Sequence, residues 1–370
     1  MRIIKLFLIS CFFTASAAAS NQSPNFHNPG YQKSLEALEK TVPLTYNIHV
    51  QKQINSFLTT AGKSRFGRML GLAEYYFPIY EKIFRDRGVP EEIKYLSVIE
   101  SALNPNAVSS YGAAGLWQFL WQYGRMYGLT INDTIDERRD PALSCDAAAS
   151  YLLDSYALYN DWLLAIASYN CGRNNIKWAM EKADLAGGQK DYWSLRQYLP
   201  VETQQYVPTY IATVYIMNNY RRHGIRPAAP SFNIRTETVK VKKEISLENI
   251  AKEAGINLDE LLVLNAAYLN GVIYGSENKP AKLVVPLLPD YAYDTLCRTL
   301  GISNERTASI IAAAPAPIRY YISYRVQPGD TPEVIAEKFE NTTAQEIIRV
   351  NNLRKDEPLT VSRLLKIPQR

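Results

Sequence analysis

The sequence predicts an α+β chain, a mainly helical domain followed by two small modules of βααβ pattern, and three observations predict it. From Ser34 to about His223, apolar residues recur at helical spacing and most breaks carry Gly, Pro or Asn. After Arg226-Pro227-Ala228-Ala229-Pro230, Val239, Val241 and Ile245 alternate with polar residues as a strand does, and two short helical stretches follow. That pattern then recurs: Ser246-Leu247-Glu248-Asn249-Ile250-Ala251 parallels Thr331-Pro332-Glu333-Val334-Ile335-Ala336, and Leu264-Asn265 parallels Val350-Asn351. Both copies close on an apolar strand with a proline, Leu283-Val284-Val285-Pro286 and Leu365-Lys366-Ile367-Pro368. Such repetition marks modules.

In chain order, Met1 to about Ala19 read as a secretory signal peptide. Arg2 and Lys5 precede an apolar run from Leu6 to Phe13, then small residues allow cleavage after Ala17 or Ala19. The run is too short to span a bilayer, so the mature protein is expected in the envelope or periplasm of a bacterium. Leu8-Ile9-Ser10-Cys11 is an early approximation to a lipoprotein box; membrane association requires lipidation at Cys11. An N-terminal segment, 20–55, leads to the helical domain, 56–228. The first module covers 236–287, a linker with Ala-Ala-Ala-Pro-Ala-Pro covers 288–318, and the second module covers 319–369.

Composition narrows the chemistry. A formal net charge of +5 is not gathered into a Lys/Arg block, so nucleic acid is not an expected partner. There are 26 tyrosines against 3 histidines, which suits sugar-stacking surfaces and disfavours a His-rich metal site. Cys145, Cys171 and Cys297 show no metal-ligand spacing; Cys145 and Cys171 are open to pairing or to remaining buried thiols. No metal and no organic cofactor are expected.

The clearest helix start is Val89-Pro90-Glu91-Glu92, with proline and two carboxylates suited to a first turn. The helix is expected to run through Ile93, Leu96 and Ile99 and to end near Asn104-Pro105, because the residue before proline leaves helical geometry. Glu100 thus falls in the last turn among apolar residues, where burial raises a carboxyl pKa. Glycosidic cleavage usually employs two carboxylates. No second acid is equally placed: Asp133, Asp136, Glu137 and Asp140 belong to a polar loop. Spacing alone leaves Glu100 open as a structural, hydrogen-bonded glutamate.

The residues that follow shift that balance. Glu100-Ser101-Ala102-Leu103-Asn104-Pro105, Ser109, Gly112, Gly115-Leu116-Trp117-Gln118, Ser168-Tyr169-Asn170, Glu202-Thr203 and Tyr206-Val207-Pro208 resemble, in order and spacing, the lytic transglycosylases of glycoside hydrolase family 23. Leu116-Trp117-Gln118, Arg138-Arg139-Asp140-Pro141 and Leu199-Pro200-Val201-Glu202-Thr203 fit the murein transglycosylase D branch. The resemblance covers about residues 60 to 225 and implies a lysozyme-like catalytic domain acting on peptidoglycan glycan strands. It implies that Glu100 is the catalytic acid and then base, the sugar's own 6-hydroxyl replacing a second carboxylate and leaving 1,6-anhydromuramyl ends. It also implies that Ser109 and Gln118 line the cleft, that Tyr169 and Asn170 border the muramyl site, and that the Tyr206 hydroxyl tunes Glu100. Phe119-Leu120-Trp121-Gln122-Tyr123 lacks the proline and threonine usual after the glutamine, and Cys171 replaces a small alanine. Trp117 is open as a sugar platform or a packing anchor.

Tyr324-Arg325-Val326-Gln327-Pro328-Gly329-Asp330-Thr331, with Ile335-Ala336, Asn351 and Ile367-Pro368, resembles a LysM module. The resemblance implies a glycan groove around Gly329, Asp330 and Thr331 to Pro332 and around Asn351 to Arg354. The earlier copy lacks the Gly-Asp-Thr turn and carries an insertion at Ala267 to Lys279. A hydrolytic muramidase and a non-catalytic wall-binding scaffold are the competing readings.

Overall fold

The structure is a computed structural model that describes residues 27–303, 320–339, 342–351, 353, 359–361 and 363–369. The expected signal peptide with Cys11, the Ala-Pro stretch near 308–317 and Arg354 lie outside the described residues. Among those described, no helix is long and apolar enough to cross a membrane.

The helical domain is built around Thr60–Arg87. This helix starts on a Thr59 side-chain cap and stops at Gly88, whose φ of 73° only glycine adopts cheaply. Its face of Tyr76, Tyr80 and Phe84 is buried in a core shared with Pro141–Tyr159, Trp162–Cys171 and Val201–Asn219. Helices Pro29–Leu38 and Ile48–Phe57 of the N-terminal segment bury Leu35, Val50 and Ile54 in the same core. Glu92 fastens the chain between them, its carboxylate accepting from the Thr41 and Val42 amides at 2.8 and 3.0 Å.

The first module pairs Thr236–Val241 antiparallel with Ala281–Pro286, and Glu244–Ser246 with Val272–Tyr274, around helices Leu247–Ala254 and Leu258–Leu264. Its core of Val241, Leu247, Ile250, Leu261 and Leu283 also takes in Leu296 and Leu300. Those two belong to a helix, Asp290–Leu300, inside the stretch 288–318 expected to be linker. Tyr293, Leu296, Cys297 and Leu300 recur at helical spacing and are buried on the module, which is why this part of the stretch is ordered. The second module pairs Tyr320–Arg325 with Leu364–Gln369 and packs Val326, Ile335, Ile347 and Ile367 beneath them. The chain is therefore α+β, with helices and strands segregated into successive units.

Candidate active site

Glu100 lies on Tyr95–Ser101, a helix all of whose residues are buried. The helix differs from expectation at both ends. Glu91–Lys94 forms a 3-10 turn, and the α-helix stops at Ser101, short of Asn104-Pro105. Ala102 and Leu103 both take left-handed backbone, φ 55° and 60°, which breaks the helix before the proline acts. The Ser101 hydroxyl fastens this end to the next loop by donating to the Leu116 carbonyl at 2.9 Å.

That loop forms one wall. Ser109 closes a tight hairpin, its Oγ accepting from the Ala113 and Tyr111 amides at 3.0 and 3.3 Å. Gln118, with φ 48°, donates from Nε2 to the Gly115 and Ala107 carbonyls at 2.9 and 3.1 Å. Gly115 is required: a Cβ there would sit 1.9 Å from the Arg138 carbonyl oxygen. Arg138 grips the wall from behind. Its guanidinium pairs with Asp136 at 2.8 and 2.7 Å and donates to the Gly112 and Phe119 carbonyls at 2.9 and 3.0 Å. Trp117 is fully buried edge-on to Tyr80 and Phe84, so it is a packing anchor and offers no sugar platform.

The opposite wall comes from Trp162–Cys171 and Val201–Asn219. Tyr169 donates to the Trp117 carbonyl at 2.8 Å, tying the walls together. The Asn170 Oδ1 accepts from Thr203 Oγ1 at 2.7 Å. The Tyr206 hydroxyl donates to Glu100 Oε1. Tyr123, from the stretch that departs from the usual proline and threonine, lines a small pocket with Gln118, Leu120 and Tyr169.

Glu100 is 6% exposed, and burial pushes its carboxyl up to about 8. The Tyr206 hydrogen bond opposes this by stabilising the carboxylate, and the negative field of Glu202 adds to the rise. Burial and the neighbouring Glu100 hold the Tyr169 and Tyr206 hydroxyls well above the ordinary phenol value, so both stay neutral. The site therefore keeps one carboxyl protonated near neutrality, with its Oε1 accepting from Tyr206. Cys145 and Cys171 are free and buried, so they do not pair. Among the described residues no cluster of His, Cys, Asp and Glu could hold a metal ion.

The structure thus brings Tyr206 and Tyr169 to Glu100, sets Asn170 against Thr203, and places Ser109 and Gln118 on the loop to which Tyr169 bonds. In the sequence Thr203, which fixes Asn170, shows only as part of a motif, and the Asp136–Arg138 pair behind the wall only as motif and loop. Their sequence signal, an acid two residues before an arginine, is too common to stand out.

In the second module Gly329 has φ 84°, and Thr331 caps the helix Pro332–Glu337 by accepting from the Val334 amide at 3.3 Å. Asp330 turns inward: it accepts from Tyr324, Gln327 and Lys338 at 2.7, 2.7 and 2.6 Å. Lys338 and these donors hold its carboxyl down at about 2. Asn351 donates to the Ile347 carbonyl at 2.8 Å. Asp330 thus fixes the loop on which Gly329 and Thr331 stand.

Residues 78–191 match the family model of the transglycosylase SLT domain, 235–288 that of the "Lytic transglycosylase MltD, LysM-like domain", and 324–368 that of the LysM domain. The membrane-bound lytic murein transglycosylase D of Escherichia coli (strain K12) is 32% identical over 273 residues, 73% of this chain and 58% of that protein. The chain thus spans under two thirds of the length of the curated relatives it matches. Among solved structures, the 70 kDa soluble lytic transglycosylase of Escherichia coli is 21% identical with a TM-score of 0.33, covering 40% of this chain and 24% of that one.

Proposed function

We propose that this chain, which carries a transglycosylase SLT domain followed by LysM-type domains, cleaves the MurNAc-GlcNAc β-1,4 bond of peptidoglycan and leaves a 1,6-anhydromuramyl end. The observation that carries the reading is the buried carboxyl of Glu100, protonated near neutrality and bonded by Tyr206 between two tied walls. Glu100 gives its proton to the glycosidic oxygen as the bond to the anomeric carbon breaks. The resulting carboxylate then takes the proton of the muramyl 6-hydroxyl while that oxygen closes onto the anomeric carbon. No water enters, and the acid is restored. Asn170 holds an N-acetyl group through its side-chain amide, Tyr169 packs on sugar carbons, and Ser109 and Gln118 set the opposite edge. The C-terminal LysM module holds the enzyme on its polymer through Gly329, Asp330, Thr331 and Asn351, which raises local substrate concentration without adding chemistry. The enzyme works in the bacterial cell envelope.

One observation favours a second reading, a hydrolytic muramidase: Glu202 is a carboxylate whose field reaches Glu100. Digestion of purified sacculi followed by mass spectrometry separates the two. The transglycosylase yields anhydro ends, lighter by one water than the reducing ends of a hydrolase. Glu100→Gln is expected to lower the rate roughly a hundred- to ten-thousand-fold. Equal digestion by both proteins, or by neither, sinks the catalytic reading in favour of a binding scaffold.

A further inference from the structure

The first LysM-like module is fastened to the helical domain by much more than the chain that joins them. The connecting residues 226–228 lie in a groove that two glycines open in the long helix: a Cβ at Gly67 or Gly71 would meet the Arg226 or Ala228 carbonyl oxygen at 2.7 or 1.7 Å. The Ala228 amide donates to the Gly67 carbonyl at 2.9 Å. Leu264 and Val284 of the module are buried in the core of the helical domain. The segment Ala267–Leu269, part of the insertion that sets this copy apart, adds a short antiparallel bridge to the loop 131–136. Ile135 faces Tyr268, the Asp136 amide donates to the Ala267 carbonyl at 2.9 Å, and the Leu269 amide donates to the Thr134 carbonyl at 3.0 Å. Lys282 pairs with Asp140 at 3.0 Å beside it.

What the bridge holds is the base of the cleft wall. Asp136, whose amide the module receives, is the residue whose carboxylate orients Arg138. Arg138 in turn holds the carbonyls of Gly112 and Phe119, at the two ends of the segment that carries Gly115 and Gln118. We propose that the first LysM-like module is a brace for the cleft, with Ala267–Leu269 positioning the Ser109 to Gln118 wall through Asp136 and Arg138. The brace rests on the reading of Glu100 as the glycan-cleaving acid only for its kinetic consequence.

The test exploits the module's own turn. The Gly271 amide bonds to the Tyr268 carbonyl at 3.0 Å, which makes Leu269 the first corner of a β-turn, a position that favours proline. Leu269→Pro therefore deletes the donor to Thr134 while suiting the module's backbone. The opposed pair Ile135 and Tyr268 lacks direct hydrogen bonds, and such pairs stand roughly 4.5 Å apart at Cα, within reach of a disulfide. Ile135→Cys with Tyr268→Cys in the Leu269→Pro background can then restore the junction when oxidised.

In full-length protein, Leu269→Pro is expected to speed hydrogen exchange at the Ser109 and Ala114 amides at least about threefold. On soluble glycan strands it is expected to raise KM about fivefold with kcat changed less than about twofold. Oxidation of the cysteine pair is expected to reverse both effects and reduction to bring them back. A general loss of folded protein would lower kcat and leave KM alone. Wall amides that exchange at the wild-type rate in Leu269→Pro, or an unchanged KM, overturn the brace. If the wild type cleaves nothing, the reading of Glu100 fails, and the exchange rates still decide the brace.

Discussion

At the scale of single residues, Glu100 holds a proton that an exposed glutamate loses. Its pKa rises from the ordinary 4.5 to about 8 on folding. Between those values the folded chain binds the extra proton, so stability falls as pH rises through that window and the penalty vanishes below it. Glu100→Gln removes the penalty. At about 1.4 kcal/mol per unit, the variant is expected to be more stable by on the order of 3 to 4 kcal/mol at neutral pH and unchanged near pH 4. Calorimetry at both pH values checks this; equal midpoints at neutrality would count against a buried, protonated Glu100. The two neighbours act in opposite senses. Because the acid must be protonated to work, loss of the Glu202 field in Glu202→Gln is expected to move the basic limb of the pH–rate profile to lower pH. Tyr206→Phe removes the bond that favours the carboxylate and is expected to move that limb upward, with a lower maximal rate because the carboxyl loses its orientation.

At the scale of elements, the site depends on how a helix ends and on what grips a loop. Ala102 and Leu103 leave the Glu100 helix in left-handed geometry, which costs a residue with a Cβ about 1 to 2 kcal/mol. Ala102→Gly is therefore expected to raise stability in urea by about 1 kcal/mol at most, part of the gain being lost to the entropy of glycine in the unfolded chain. A lower urea midpoint would exclude strain at Ala102. Leu103 is fully buried, so the same change there would remove core packing. In the facing loop, the Asp136 side chain is 4% exposed against the Arg138 guanidinium. Removing one partner of such a pair strands the other, and Asp136→Ala is expected to cost about 3 to 5 kcal/mol, measured by denaturant unfolding. A loss under about 1 kcal/mol would mean that the wall does not depend on this grip.

At the scale of the whole molecule, the helical domain and the first module share buried residues, a glycine groove and a β-bridge. They are expected to unfold in one calorimetric transition. Separate melting of the two would contradict a shared core. The helical block, the repetition of a small strand-and-helix module and Glu100 in a last helical turn were legible in the sequence, although the first module carries a second strand pair, Glu244–Ser246 with Val272–Tyr274, beyond the expected βααβ. Apolar spacing, proline and glycine breaks and internal repetition are local signals that survive without a structure. The order of motifs from Glu100 to Tyr206 likewise carries the family resemblance, from which the expected cleft residues follow. Other features were invisible because they pair residues far apart in the chain. Tyr206 meets Glu100 across 106 positions, and the module's insertion reads locally as a loop although its carbonyl and amide meet residues 134 and 136. The stretch 290–300 reads as linker until its apolar stripe finds the module surface. Sequence by itself thus determined the helical block, the repeated modules and which carboxyl is suspect, since these follow from short-range patterning. Tertiary structure alone decided that Trp117 is core, that Cys145 and Cys171 stay apart, and that Glu100 keeps its proton, because burial and partnership depend on what folding brings alongside.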